Sequence, residues 1–290
     1  MLIVILGTTA SGKTDLAIKL ARKFNCEIVL ADSRQIYKQM DIGAAKPNKK
    51  ERKVVPHHLL DIIAPNKKFS VADYQKSAYK AIDDILKKGK IPFLVGGTAF
   101  YIYSIVEGWQ FPKMQKNEKL RKTLEKQPLA SLLKMLKKLD IARFETIDQK
   151  NKRRVIRAIE IAKEMGNVPK IKKQPKYDCL LLGLKPANAL LKQKINQRVD
   201  LMIRQGLERE VKNLVKKYGW TSVLKNTIGY SEWKAPSAFP MERRSAPFQI
   251  KGNTWKYAKR QMTWFKRDKR IIWLKNAKQA QKEIKLFLNS

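Results

Sequence analysis

The first hundred residues alternate between short apolar runs and longer amphipathic segments. Residues 2–6 (LIVIL), 27–31 (EIVLA) and 91–95 (IPFLV) are compact and mostly apolar, which is typical of strands buried on both faces of a parallel sheet. Between them, residues 15–24 and 71–88 repeat apolar positions at helical spacing. This order of strands and helices predicts an α/β fold with a doubly wound parallel sheet.

The pattern changes in the middle of the chain. Residues 111–166 contain several helical segments rich in Lys and Arg and no convincing strand, whereas residues 179–184 (CLLLGL) match a further buried strand. We therefore predict that residues 1–110 and 176–290 form the α/β core, and that residues 111–175 are a helical insertion subdomain.

The last third of the chain predicts more helix and one more strand. Residues 189–218 have helical periodicity, and residues 255–267 (WKYAKRQMTWFKR) form a basic, aromatic helical segment. Residues 271–274 match a final short strand.

The charge balance indicates the kind of partner. The chain has 63 Lys and Arg against 25 Asp and Glu, a formal net charge of +38. An excess of this size favours a polyanionic partner, most simply a nucleic acid, although lysines spread along the whole chain also fit a general compositional bias. No apolar stretch reaches the length of a membrane span. We expect a cytoplasmic monomer that does not associate with membranes.

A phosphate-binding motif follows the first strand. The sequence fits GxxxxGK[ST], in which backbone N–H groups and a helix amino terminus surround a phosphate, the lysine adds a positive charge and the last hydroxyl can bind Mg²⁺. Its residues are Gly7, Thr8, Thr9, Ala10, Ser11, Gly12, Lys13 and Thr14, so Thr14 is the candidate metal ligand. The motif alone does not distinguish nucleotides, sugar phosphates and prenyl diphosphates.

Seven further blocks resemble one enzyme family. They occur in the family's order, and the resemblance extends from residue 2 to about residue 270. The blocks are 32–47 (DSRQIYKQMDIGAAKP), 56–61 (PHHLLD), 69–74 (FSVADY), 95–101 (VGGTAFY), 196–199 (NQRV), 227–230 (TIGY) and 257–265 (YAKRQMTWF). The chain thus resembles the tRNA dimethylallyltransferases, whose core has the P-loop NTPase-like fold.

The resemblance implies a reaction. The family transfers the dimethylallyl group of dimethylallyl diphosphate to N6 of adenosine 37 in the tRNA anticodon loop, and diphosphate leaves. The phosphate-binding loop would then hold a prenyl diphosphate instead of hydrolysing ATP, with Mg²⁺ as the cofactor.

Asp32 is the candidate general base. It follows the second predicted strand, beside the phosphate-binding loop, where a carboxylate could accept a proton from the weakly nucleophilic adenine amine. The alternative is that Asp32 caps a turn.

Thr98 and Arg198 complete the catalytic and diphosphate-binding hypothesis that the resemblance implies. Thr98 would donate a hydrogen bond to the oxygen that bridges the prenyl carbon and the diphosphate, where negative charge develops. The alternative is a hydroxyl bonded to its own turn. Lys13, Arg198 and Mg²⁺ would carry the remaining charge, although a helix arginine such as Arg198 often has no specific role.

The expected tRNA contacts come from three parts of the chain. Some neighbour the candidate base, some lie in the insertion on stretches similar to tRNA-contacting parts of the family, and two belong to the 227–230 block. They are Asp32, Ser33, Arg34, Gln35, Arg121, Arg153, Arg154, Arg157, Gly229 and Tyr230. The insertion arginines are expected to bind phosphates of the anticodon stem.

One segment departs from the family pattern. Residues 234–250 contain Pro236, Pro240 and Pro247, which are incompatible with one regular helix, so we expect a loop or a broken helix there.

Two other functions compete with prenyl transfer. A nucleoside or nucleotide kinase would explain residues 1–110 but not the basic insertion. An RNA-binding ATPase would leave the pairing of Asp32 with Thr98 unexplained.

Overall fold

The computed structural model describes residues 1–112, 114, 117–234 and 246–290. They form two compact units, one made of Met1–Gly108 with Pro175–Ser290 and the other of Trp109–Gln174. These boundaries lie within two residues of those expected for the core and the insertion.

The larger unit is built on a parallel sheet. Its six strands are β1 (Leu2–Gly7), β2 (Cys26–Ala31), β3 (His57–His58), β4 (Ile91–Gly96), β7 (Cys179–Leu184) and β8 (Ile272–Trp273). The strand order is β3-β2-β4-β1-β7-β8, and every neighbouring pair is parallel. The predicted fold class is confirmed, including the short last strand.

Nine helices are described in this unit. They are α1 (Lys13–Phe24), α2 (Lys49–Val54), α3 (Val71–Lys87), α4 (Ala99–Val106), α9 (Asn188–Arg204), α10 (Leu207–Tyr218), α11 (Ser222–Lys225), α12 (Ala246–Phe265) and α13 (Ala277–Leu288). A 3₁₀ turn covers Ser231–Trp233.

Helices cover both faces of the sheet. On one face, Ile3 and Ile5 of β1 pack in a cluster with Leu20 of α1 and Ile284 of α13. Side chains alternate along a strand, so the intervening residues of β1 point to the opposite face. There Tyr74 of α3 is fully buried and donates its hydroxyl to the backbone of β2. The continuous apolar runs of the sequence result from this double coverage.

The carboxyl ends of three central strands are level with one another. Gly96 of β4 pairs with Leu6 of β1 on one side and with Ala31 of β2 on the other. A Cβ atom at Gly96 would lie 2.1 Å from the Ala31 carbonyl oxygen, so only glycine permits this approach. The loops that follow β1, β2 and β4 therefore start from one edge of the sheet.

The smaller unit is helical. Its helices are α5 (Glu118–Lys126), α6 (Leu129–Leu139), α7 (Ile141–Thr146) and α8 (Lys152–Met165), and strands β5 (Trp109–Gln110) and β6 (Lys172–Lys173) form an antiparallel pair. Leu124, Leu132, Leu136, Val155 and Ile159 make a separate apolar core.

The proline-rich segment is partly described. Pro236 and Pro240 lie outside the described residues. Pro247 belongs to α12, whose described part begins at Ala246, so the expected break does not extend over residues 246–250. Among the described residues, none of the helices has the length and apolar character that crossing a membrane would require.

A buried ion network holds the amino end of β2. Glu27 is 2% exposed and accepts hydrogen bonds from His58 at 2.7 Å, Lys90 at 2.8 Å and Lys88 at 3.4 Å. Burial raises the pKa of Glu27, but the hydrogen bonds from Lys90 and His58 and the charges of both lysines outweigh it and lower the pKa to about 2.

We expect Glu27→Gln to lower the free energy of unfolding by about 1–3 kcal/mol at pH 7, because two lysines lose a buried counter-charge. The folded pKa lies below the ordinary value, so the stabilisation is present above about pH 4.5 and fades as the pH falls towards about 2. Urea denaturation at pH 7 and pH 3.5 measures the difference. The exposed Glu208→Gln is the control, and an equal loss at both pH values would contradict the ionic origin.

Candidate active site

The loop between β1 and α1 is shaped to surround an anion. Gly12 has φ 89° at the amino end of α1, and Ala10 has φ 60°, a conformation that residues with a Cβ seldom adopt. The hydroxyls of Thr8 and Ser11 are buried without a hydrogen-bond partner among the described residues. Buried hydroxyls normally have hydrogen-bond partners, and an anion bound in the loop would accept hydrogen bonds from these two.

Two cations lie at this loop. Lys13 Nζ donates to the Thr8 carbonyl oxygen at 2.5 Å, and Arg198 Nη1 donates to Thr9 Oγ1 at 3.4 Å. Burial and the charge of Arg198 lower the pKa of Lys13 to about 7, although the charge of Asp32 raises it. A diphosphate between these side chains would stabilise both positive charges.

Asp32 uses its two carboxylate oxygens differently. Oδ1 accepts from the backbone N–H of Arg34 at 2.8 Å and of Gln35 at 3.4 Å, which closes the turn after β2. Within the described parts of the chain, no residue donates to Oδ2. Turn capping and proton acceptance are therefore compatible, because each needs one oxygen.

Thr98 connects the ends of β4 and β2. Its N–H donates to the Ala31 carbonyl oxygen at 3.1 Å, and its Oγ1 accepts from the Ser33 N–H at 3.0 Å. The alternative in which this hydroxyl bonds to its own turn is wrong, since its partner belongs to the turn after β2. An oxygen that accepts here keeps its own hydrogen for donation.

The side chains beside Asp32 are fixed by neighbouring loops. Gln35 Nε2 donates to the carbonyl oxygens of Ala44 at 3.2 Å and Ala45 at 3.1 Å. Arg34 Nη2 donates to the carbonyl oxygen of Asn226 at 3.3 Å. The Gln35 amide therefore has its oxygen available as an acceptor.

Tyr230 has a different position from the one expected. It is 0% exposed, and its hydroxyl donates to Glu210 Oε1 at 2.7 Å. Glu210 also accepts from the N–H groups of residues 41–43, and a Cβ at Gly43 would lie 2.5 Å from the Tyr230 ring. The predicted tRNA contact of the Tyr230 side chain is thus corrected, because this side chain packs against the 41–45 loop and is not exposed to solvent.

Most of the expected residues meet at one cavity of about 370 Å³ in the larger unit. Six residues of the phosphate-binding motif, Thr9 to Thr14, line it together with Arg198, whereas Gly7 and Thr8 are buried and do not line it. Asp32, Ser33, Arg34, Gln35 and Gly229 also line it. Thr98 is half-buried and is not itself a lining residue, although Gly97 before it is.

Helix α12 supplies residues that the sequence analysis missed. Tyr257, Arg260 and Gln261 line the cavity. Burial and the nearby charge of Asp32 raise the pKa of Tyr257 to about 12, so its hydroxyl stays protonated. The buried residues Ala258, Gln261 and Phe265 have helical spacing and share one face of α12. A polar residue, Gln261, on this otherwise apolar face is the sequence feature that could have indicated a functional side chain.

The four insertion arginines fall into two pairs within the smaller unit. Arg121 and Arg157 contact the buried Glu160 at 2.6 and 3.4 Å. Arg153 and Arg154 are exposed, and Arg154 lies 3.6 Å from Asp148. The second pair is therefore the more exposed of the two.

Comparisons with known proteins identify the family. The IPP transferase family model matches residues 35–268, and the isopentenyl transferase model matches residues 1–65. The tRNA dimethylallyltransferase of Halothermothrix orenii is 44% identical over 283 residues, which cover 94% of this chain and 86% of that relative. The tRNA dimethylallyltransferase of Carboxydothermus hydrogenoformans is 41% identical over 98% of this chain and 94% of its own. The chain belongs to the tRNA dimethylallyltransferase family.

Solved structures of the dimethylallyltransferase family share the fold. The tRNA isopentenylpyrophosphate transferase of Bacillus halodurans superposes with a TM-score of 0.73 at 35% identity, covering 99% of this chain and 95% of that one. A eukaryotic dimethylallyltransferase acting on tRNA has a TM-score of 0.76 at 30% identity, covering 91% of this chain and 69% of that one.

We expect the Lys13 amine to take up as much as about one proton per site when inorganic diphosphate binds near pH 7.5. The pKa of Lys13 is about 7 in the free site, so much of the amine is neutral there, and a bound anion raises the pKa and charges it. Isothermal titration calorimetry in buffers of different ionisation enthalpy measures this uptake.

Lys13→Arg is the control, since a guanidinium stays charged throughout this pH range. The proton uptake that remains in this variant belongs to the ligand itself. Equal uptake by both proteins would contradict the assignment to Lys13.

Proposed function

We propose that this chain transfers the dimethylallyl group of dimethylallyl diphosphate to N6 of adenosine 37 in tRNA. The observation that carries this proposal is one cavity that holds both a cationic phosphate loop and a carboxylate with a free oxygen. A site that stabilises a leaving diphosphate and accepts a proton suits alkyl transfer to a weak nucleophile.

The loop residues would bind the leaving group. The N–H groups at the start of α1, with Lys13 and Arg198, would surround the diphosphate. The buried, unpartnered hydroxyls of Thr8 and Ser11 would be available to donate to it. As the bond between the prenyl carbon and oxygen breaks, its electron pair stays on the diphosphate. The Thr98 hydroxyl would donate to that oxygen, provided the bound substrate reaches past Gly97.

Asp32 would act on the nucleophile. The N6 lone pair forms the new bond to the prenyl carbon, and Oδ2 accepts the proton that N6 loses. General base catalysis of this kind is typically worth about 10²–10⁴-fold in rate. The fixed oxygen of Gln35 could accept from the adenine amine beside it.

The residues at the loop also fit the proposed Mg²⁺. Within the described chain, no group of three His, Cys, Asp or Glu side chains could hold a metal by itself. Mg²⁺ commonly combines one or two protein oxygens with substrate phosphates and water, so the Thr14 hydroxyl would suffice as the protein ligand. When bound, the ion would neutralise charge on the diphosphate.

We expect the protein to convert dimethylallyl diphosphate and unmodified tRNA into isopentenyl-adenosine, and Asp32→Asn to lower kcat by about 10²–10⁴-fold. Asparagine keeps an oxygen for the Arg34 N–H but removes the proton acceptor. Nucleoside mass analysis measures product, and filter binding measures tRNA affinity, which should stay within about threefold.

The exposed Asp178→Asn is the control. ATP turnover on a nucleoside with no prenylated product would instead support the kinase alternative. Loss of tRNA binding or of folding in Asp32→Asn would refute the assignment of the base.

The insertion would bind phosphates of the anticodon stem through its exposed arginines. A tRNA substrate would also place the enzyme in the cytoplasm. Arg121 and Arg157, in contrast, would mainly neutralise the buried Glu160.

We expect the double variant Arg153→Ala with Arg154→Ala to weaken tRNA binding several-fold and to reduce the slope of log K against log salt by about one for each phosphate that it no longer binds. Its melting temperature should stay close to that of the wild type, whereas Arg121→Ala should lower it. Fluorescence anisotropy across a salt series measures the slope, with the exposed Arg22→Ala as the control. An unchanged slope in the double variant would contradict the phosphate contacts.

A further inference from the structure

Gln261 is a buried amide that joins two loops of the site from a helix distant in sequence. It lies on α12 and is 6% exposed. Its Oε1 accepts from the Thr9 N–H at 2.8 Å, and its Nε2 donates to the Gly97 carbonyl oxygen at 2.7 Å. One side chain thus ties the phosphate-binding loop to the turn that carries Thr98.

The turn is shaped to receive this amide. A Cβ at Gly97 would lie 2.3 Å from Gln261 Nε2, and its next neighbour would be the Gly7 carbonyl oxygen at 3.1 Å. No positive φ demands glycine at this position. A larger residue here would therefore have to displace the amide, although the backbone conformation itself does not require glycine.

The amide differs in kind from the other groups that bind the loop. Lys13 and Arg198 contact Thr8 and Thr9 through charged groups, which an anionic diphosphate would attract. Gln261 is neutral, and both of its partners are backbone groups. Its two hydrogen bonds therefore do not depend on a charge that a bound anion would attract.

We propose that Gln261 is a positioning residue that fixes the distance between the diphosphate loop and the Thr98 turn. This inference rests on the proposed function, because it assigns Gln261 a role in aligning the leaving oxygen with the Thr98 hydroxyl. A misplacement of about 1 Å in such an alignment can cost about 10²-fold in rate.

The test compares two ways of breaking the same pair of hydrogen bonds. Gln261→Met keeps the length of the side chain but removes both hydrogen bonds, and Gly97→Ala displaces the amide with a Cβ. Gly252→Ala is the matched control, because Gly252 lies on the same helix and a Cβ there meets nothing within 4 Å. Measurements are kcat, KM for both substrates, the melting temperature and the affinity for inorganic diphosphate.

We expect each of the two variants to lower kcat by about 10–100-fold while KM for tRNA stays within about threefold. The double variant should be no worse than the poorer single variant, because both break the same link between the two loops. Gly252→Ala should keep the wild-type kcat. Wild-type kcat in Gln261→Met, or losses that multiply in the double variant, would overturn the proposal.

Diphosphate affinity separates this inference from the proposed function. If the wild type makes no prenylated tRNA, the positioning role of Gln261 still predicts that both variants bind inorganic diphosphate about 3–10-fold more weakly than Gly252→Ala. Unchanged affinity in both variants would then refute that role. If either variant fails to fold, Gln261→Glu replaces it, since a carboxylate keeps the acceptor for Thr9 but loses the donor to Gly97.

Discussion

The site depends on how closely β2 and β4 approach each other at their carboxyl ends. A Cβ at Gly96 would lie 2.1 Å from the Ala31 carbonyl oxygen, so the level ending of these strands requires a residue without a side chain. Because β1 pairs with β4 in the same register, the phosphate loop, Asp32 and the Thr98 turn all start from one line. Neighbouring parallel strands lie about 4.8 Å apart, which brings a leaving-group site and a base within reach of one substrate.

The charges at the ends of these strands determine how the site responds to an anion. Lys13 has a pKa of about 7 because it is buried beside Arg198, and the carboxylate of Asp32 offsets only part of this. A site whose lysine is partly neutral when free gains charge as an anion arrives, so diphosphate binding and the protonation of Lys13 are coupled.

The sequence predicted the features that are local. The strands, the phosphate loop and the turn at Asp32 are encoded within short segments, by apolar runs or by a motif whose spacing fixes its shape. Gln261 could not be found in this way, because its partners are 252 and 164 residues away. The resemblance included it in a block, but the pattern of that segment predicted only a basic, aromatic helix.

Tyr230 shows the opposite failure, in which a motif residue was given a contact that it does not make. The 227–230 block predicted a residue that touches tRNA, whereas the ring is buried and its hydroxyl donates to Glu210. Glu210 in turn receives three backbone N–H groups of the 41–43 loop, whose neighbours Ala44 and Ala45 accept from Gln35. The motif residue thus acts on the site through two further contacts. Sequence blocks of this kind record which residues a site needs, and only the packing around each residue separates those that touch a substrate from those that hold the others in place.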